Sequence, residues 1–249
     1  SGTEAALSID LDIVGNIYVT GITYSSDFPT TSGAYNTSFN GGDYDIFISK
    51  LSNDLTNLSA STFLGGGSND FPYSLSLNAT GNALYVSGYT LSSNFPVTPW
   101  TYDGLFNGID AFISKFSSNL DSLISSTFLG GTAVDQGFAM ALDSSRNVYV
   151  TGITNSVNFP TSAGAYDSSH NGYYDIFISK FDSTLRRLNP KGDVDRNDIV
   201  NLADAILAIQ VSSGMSSASV TLDADVNVDD RIGLAEVIYI LQKVAGIRQ

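Results

Sequence analysis

Cysteine is absent from these 249 residues, histidine occurs once, and lysine and arginine together number 11 against 25 aspartates and glutamates. Each shortage removes a class of chemistry. Without thiols there are neither disulfides nor thiolate metal sites, which leaves the redox compartment open. A formal charge of −14 argues against nucleic acid and anionic membranes as partners, because both need a basic face. It agrees with divalent cations, or simply with solubility. No run approaches the roughly 18 consecutive apolar residues of a membrane span, so no membrane insertion is expected. No basic segment followed by an apolar one opens the chain either; the expectation is an intracellular protein, or an exported one whose signal has been removed.

Catalytic signatures are also scarce. The lone His170 sits in a Ser-His-Asn-Gly stretch and reads as a solvated loop residue. No Ser/His/Asp order, phosphate-binding loop or zinc ligand set occurs. Paired carboxylates hydrolyse glycosides, and Asp is plentiful, but the sequence singles out no pair. The expectation is that the chain is not an enzyme.

What is present is repetition, which takes precedence over any single element. "DIFISK" at 45–50 returns as "DAFISK" at 110–115 and "DIFISK" at 175–180, a spacing of 65 both times. "STFLGG" at 61–66 returns at 126–131, and "NIYVTGIT", "ALYVSGYT" and "NVYVTGIT" form a third series, each followed by an "NFP" or "DFP" stretch. Segments such as "LSIDL", "IYVTGIT", "IFISKL" and "STFLG" are β-branched, aromatic and often alternating, so they read as strands. Proline cannot donate to a ladder, so the Pro of each "NFP" or "DFP" marks the loop after the second strand. Four strands per repeat, repeated radially, is the pattern of a β-propeller blade; a β-solenoid is the runner-up, with coils much shorter than this period. Asp45, Asp110 and Asp175 each open a strand and read as turn-tying residues; the adjacent Tyr44 and Tyr174 read equally as packing or ligand contacts.

Residues 1 to about 188 resemble SBBP repeats, β-propeller repeats of many large bacterial and archaeal surface or secreted proteins. The resemblance implies a scaffold and no fixed activity. The expected fold is mainly β, with blades at about 1–66, 67–131 and 132–188, two complete and the third lacking its last strand, eleven strands in all. The sequence begins one strand into a repeat, and after Phe181 "DSTLRRLNPKG" stands where "STFLGG" would follow. Three blades do not make a ring, since about 4–8 are usual. Two explanations stay open: the chain is the C-terminal part of a longer propeller, which is preferred, or chains complete one another's blades by strand addition.

From Pro190 the composition changes. "DVDRNDIVNLAD" at 193–204 and "DVNVDDRIGLAE" at 225–236 are similar units 32 residues apart. A twelve-residue calcium loop needs oxygen donors at positions 1, 3, 5, 7 and 12, with position 9 often acting through water. The first unit offers Asp193, Asp195, Asn197, the carbonyl of Ile199, Asn201 through water, and Asp204. The second offers Asp225, Asn227, Asp229, the carbonyl of Arg231, and Glu236, with Gly233 leaving position 9 to water. Val200 and Ile232, at position 8, are placed to pair the loops. Two Ca²⁺ ions are therefore expected, each loop followed by a helix. Leu202, Ala205, Ile206 and Ile209 form one apolar stripe and Leu234, Val237, Ile238 and Leu241 the other, with Gly214 and Gly246 as stops.

This arrangement over about 190–247 resembles a dockerin domain, the two-loop calcium module that binds cohesin domains. The small α-helical, dockerin-like domain is assigned to 189–249. Two departures matter. Position 6, usually Gly, is Asp198 and Asp230, which tolerate a left-handed turn better than most residues. Loop positions 10 and 11, where many dockerins carry the Ser/Thr pair that reads the cohesin, are Leu202-Ala203 and Leu234-Ala235. The resemblance thus implies structural calcium more firmly than it implies cohesin. Three sequons, at Asn36, Asn57 and Asn78, are compatible with export. The expected function is non-catalytic calcium-stabilised scaffolding or assembly at the cell surface or outside the cell. The partner is a second copy or a cohesin-like domain, with carbohydrate as a further ligand class. The alternatives are a surface binding module anchored through cohesin, or part of a larger secreted propeller acting on carbohydrate.

Overall fold

The computed structural model describes residues 2–99, 101–162, 164–185, 194, 200–213, 226 and 232–246. The chain divides into two compact units, Ser1–Arg186 and Arg187–Gln249.

The described part of the first unit is all strand and loop. Four strands, β1 (Glu4–Leu11), β2 (Ile17–Thr23), β3 (Asp45–Leu51) and β4 (Leu58–Leu64), form the first sheet. The second holds β5 (Asp70–Leu77), β6 (Ala83–Thr90), β7 (Asp110–Ser117) and β8 (Leu123–Leu129). The third holds β9 (Asp135–Leu142), β10 (Val148–Thr154) and β11 (Asp175–Phe181). Every strand pairing within these sheets is antiparallel and follows chain order. The protein is mainly β, and its antiparallel sheets are consistent with propeller blades.

Register explains much of the repeated sequence. The second and third strands pair without interruption and set Tyr18, Tyr85 and Tyr149 opposite Lys50, Lys115 and Lys180. Each ammonium lies about 5 Å from its ring centroid, a favourable cation–π distance. The first strand of each sheet bulges against the second. Opposite each bulge stands the glycine of "VTGIT" or "VSGYT": a Cβ on Gly21, Gly88 or Gly152 would overlap the carbonyl oxygen of Ala5, Phe71 or Gln136. Pro72 falls within β5 beside its bulge, tolerated because β5 is an edge strand.

The sheets stack face to face. β5 packs on β1, β2 and β3, and β9 packs on β5, β6 and β7. The first junction buries Tyr18, Ile46 and Ile48 against Leu75, Phe112 and Phe116. The second buries Tyr85, Ala111 and Ile113 against Val150, Phe177 and Phe181. Equivalent residues do equivalent work, so the 65-residue period is a packing period.

In the second unit α1 (Leu202–Ser212) packs on α2 (Leu234–Val244). Gly246 takes a positive φ of 69° just beyond α2, as a helix stop does; Gly214 lies outside the described residues. The expected stripes need correction. Ala205 and Ala208 of α1, and Val237 and Ile240 of α2, are buried with Val194 and Ile232. Leu202, Ile206, Ile209, Leu234, Ile238 and Leu241 are all exposed. The reason is that Asp204 and Glu236 point inward, which rotates the following i+1 and i+4 positions into the core. Val200 and Ile232 do belong to one apolar cluster.

Candidate functional site

Two places gather carboxylates. The first recurs at the sheet junctions. Asp45 opens β3 and Asp70 opens β5 of the next sheet; Asp110 and Asp135 are their equivalents one repeat later. All four are buried. Gly65 stands between the first two: a Cβ on it would lie 2.7 Å from both Asp45 Oδ1 and Asp70 Oδ2, so those oxygens are no further apart than twice that distance. Gly130 occupies the same place between Asp110 and Asp135. The second glycine of each "GG" donates its N–H to the second carboxylate, Gly66 to Asp70 Oδ2 at 2.7 Å and Gly131 to Asp135 Oδ2 at 2.7 Å. Ser92 and Ser156 add hydroxyl donors at 3.0 and 2.7 Å. Each "FLGG" motif thus walls a cage with the segment after the next sheet's second strand, "GYTLS" around Asp70 and "GITNS" around Asp135.

The first carboxylate of each pair, and Asp175 as the third of its series, ties the loop before it. Asp45 Oδ2 accepts the Asn40 N–H, Asp110 Oδ2 that of Asn107 at 2.8 Å, and Asp175 Oδ2 that of Asn171 at 2.6 Å. Asp45 Oδ1 and Asp110 Oδ1 are buried without a hydrogen-bond partner. Loss of water around Asp45, opposed by the Asn40 amide and reinforced by Asp70, pushes its carboxyl up to about 7. Burial likewise raises Asp110 to about 6, with Asp135 and Asp103 adding repulsion. Burial raises Asp70 as well. The structure therefore singles out carboxylate pairs where the sequence did not, but places them away from solvent.

Aromatic side chains run across the sheets nearby. Tyr24 meets Tyr44 at 5.3 Å, Tyr44 meets Phe71 at 6.1 Å, and Phe71 stacks on Tyr89 at 5.6 Å. Tyr73 continues the run to Phe138 at 4.8 Å. Tyr44 thus packs between two rings while staying half-buried, and Tyr174 meets the exposed Tyr173 at 5.2 Å. His170 departs from expectation: it is half-buried, and its Nε2 is enclosed without a hydrogen-bond partner. Of the three sequons only Asn57 is exposed; the amide nitrogens of Asn36 and Asn78 bond to Asn40 and Asn82 at 2.8 and 2.6 Å.

The second place is in the C-terminal unit. Asp204 Oδ1 accepts the Val194 N–H at 2.7 Å and its Oδ2 the Asn201 N–H at 2.9 Å. Glu236 Oε1 accepts from Val226 at 3.1 Å and its Oε2 from Gly233 at 2.6 Å. Asp204 thus joins residues 194 and 201, and Glu236 joins residues 226 and 233, and both carboxylates are buried. Asn201 has a role the sequence reading missed. It caps α1, its Oδ1 accepting the Ala203 N–H at 2.7 Å, and with Asp204 it makes a capping box. The Asn-x-x-Asp spacing carried that signal. Asp193, Asp195, Asn197, Ile199, Asp225, Asn227, Asp229 and Arg231 lie outside the described residues, as do Asp198 and Asp230. Among the described residues no three acidic, His or Cys side chains converge as a metal site.

Comparison with known proteins bears on the first unit. The family SBBP, described as a beta-propeller repeat, matches residues 126–160. That stretch runs from within β8 through β9 and β10 to the following "NFP" loop, so it straddles a sheet junction and includes the Asp135 cage. The match supports the propeller-repeat reading of this unit. No curated protein matches the chain.

Proposed function

We propose that this protein is a non-catalytic, calcium-binding assembly component of the cell surface or exterior, in which propeller-type blades form a scaffold and a dockerin-like C-terminal module attaches it to a protein partner. The observation that carries this reading is the matched pair Asp204 and Glu236. Two buried carboxylates, 32 residues apart, each draw together positions 2 and 9 of a twelve-residue loop. Buried carboxylate oxygens at the twelfth position of such a loop suit a hard cation held within it. Asp193, Asp195 and Asn197, and Asp225, Asn227 and Asp229, would supply the remaining side-chain oxygens. The cation would neutralise acidic loops and make folding of the module depend on its binding.

The outward apolar faces support attachment. Leu202, Ile206 and Ile209 on α1, and Leu234, Ile238 and Leu241 on α2, are exposed, and such patches favour protein partners. A cohesin-like domain or a second copy fits that chemistry. The buried state of the junction carboxylates supports a scaffolding rather than hydrolytic role for them.

Calorimetric titration of calcium into the metal-stripped chain tests this reading. Two binding events are expected, with affinities no weaker than roughly 10⁻³ M and a parallel gain in helical circular dichroism. Asp204→Asn and Glu236→Gln are each expected to weaken one event by at least about tenfold. Absence of heat and of helix gain at millimolar calcium would sink the calcium reading.

A second reading rests on the aromatic run from Tyr24 to Phe138, a surface on which sugar rings could stack. It predicts binding to an oligosaccharide panel that Tyr73→Ala abolishes; a panel without any binder would remove it.

A further inference from the structure

The two ends of the sheet stack expose the two halves of a junction that the interior makes twice. Ile46 and Ile48 on β3, and Ala111 and Ile113 on β7, are 0% exposed because the next sheet covers them. Their equivalents on β11, Ile176 and Ile178, are 80% and 77% exposed. The opposite half behaves the same way. Leu75 of β5 is buried against the first sheet, whereas its equivalent Ile9 of β1 is exposed. Leu120 and Leu185 are 0% exposed and their equivalent Leu55 is 65% exposed.

Polar contacts repeat with the same logic. Lys50 Nζ reaches the Ser118 carbonyl of the next sheet at 3.5 Å, and Lys115 Nζ reaches that of Ser183 at 2.8 Å. Lys180 is the third of the series and is exposed; the carbonyl equivalent to Ser118 and Ser183 belongs to Asn53. Tyr35 N–H donates to the Leu120 carbonyl at 2.8 Å, and Tyr102 N–H to that of Leu185 at 3.0 Å. Tyr166, third in that series, is fully exposed, and the matching carbonyl is that of Leu55. In the same positions Tyr18 and Tyr85 send their hydroxyls to the next sheet, while Tyr149 turns to Asp143 of its own sheet at 3.1 Å.

We infer that the β11 face of one copy packs on the β1 face of a second copy, reproducing the internal junction between chains. Ile176 and Ile178 cover Ile9 of the second copy, Lys180 reaches its Asn53 carbonyl, and the Tyr166 N–H reaches its Leu55 carbonyl. What covers each face is not arbitrary, because the same chain shows the complementary half at its other end. The interface joins unlike faces, so successive copies add head to tail and give a closed ring or a filament. This deepens the assembly reading above by naming its surface, and it needs no calcium.

Sedimentation of the full chain across the micromolar range, with calcium and with chelator, tests it. The expected result is a concentration-dependent multimer in both conditions. Ile178→Asp and Ile9→Asp each place a charge at an exposed position, so the monomer fold survives; each is expected to weaken association by roughly a hundredfold or more. Mixed together, the two variants retain one productive pair of faces and are expected to stop at a dimer. A wild type that stays monomeric would overturn the inference in favour of further blades of a longer chain covering the β1 face, and a multimer unchanged by Ile178→Asp would overturn it too. A multimer lost in chelator or in Ile206→Asp, yet kept in Ile178→Asp, would also overturn it while leaving the calcium module as the attachment. Failed calcium titration with intact head-to-tail assembly would do the reverse.

Discussion

Replacing Gly88 with alanine is expected to cost the first unit at least about 3 kcal/mol, the upper end for inserting atoms into a packed interior. The added Cβ would overlap the Phe71 carbonyl oxygen and lie 2.8 Å from Pro72 Cα. Backbone cannot move aside as a flexible side chain does, so either the β5 bulge or the β5–β6 ladder must give way. The damage would spread, since β6 carries the fully buried Leu84, Tyr85 and Val86, which serve both junction cores. The sign is informative. Where it fits, glycine to alanine stabilises by about 0.4–1 kcal/mol through the unfolded chain, and Gly172→Ala, with nothing within 4 Å of the new atom, serves as that control. Urea denaturation followed by far-ultraviolet circular dichroism reads both. A Gly88→Ala unfolding free energy within about 1 kcal/mol of wild type would mean that the bulge is not a fixed feature.

Asp45→Asn together with Asp110→Asn is expected to stabilise the protein above neutral pH. Burial lifts Asp45 to about 7 and Asp110 to about 6, from 3.8. The folded state therefore keeps protons that the unfolded chain has released. Their contribution to stability is complete below about pH 4 and is lost as pH rises through 6 and 7. Per site the loss is on the order of 2–4 kcal/mol, which over both sites corresponds to a fall in melting temperature on the order of 10 °C between pH 5 and pH 8. Asparagine is neutral throughout. Its oxygen can keep the bond from the Asn40 or Asn107 amide, while its nitrogen replaces an unpartnered acceptor with a donor facing Asp70 or Asp135. The double variant should lose clearly less melting temperature than wild type between the two pH values, with the buried Asp70 keeping a residual fall, measured in chelator to remove any cation effect. A double variant less stable than wild type at pH 8 would show that the ionised carboxylates are wanted there.

Sequence alone carried what is written in short-range order. The 65-residue period in "DIFISK", "STFLGG" and "VYVTGIT" locates strands and their order, because alternation and turn chemistry act within a few residues. Local spacing also pointed to Asp204 and Glu236, which gather Val194 with Asn201 and Val226 with Gly233. The α1 and α2 segments were legible as helices for the same reason.

Tertiary structure decided where faces point and which distant groups meet. Asp45 and Asp70 are 25 residues apart and lie on different sheets, so only sheet stacking reveals them as a pair with one glycine between. The helical stripes were misread because both helices are apolar over most of their circumference. The inward turn of one carboxylate on each, fixed by loop N–H groups, chose which apolar residues were buried. Identical "DIFIS" segments bury their isoleucines in β3 and expose them in β11. Burial is a property of what lies opposite, and local sequence does not encode it.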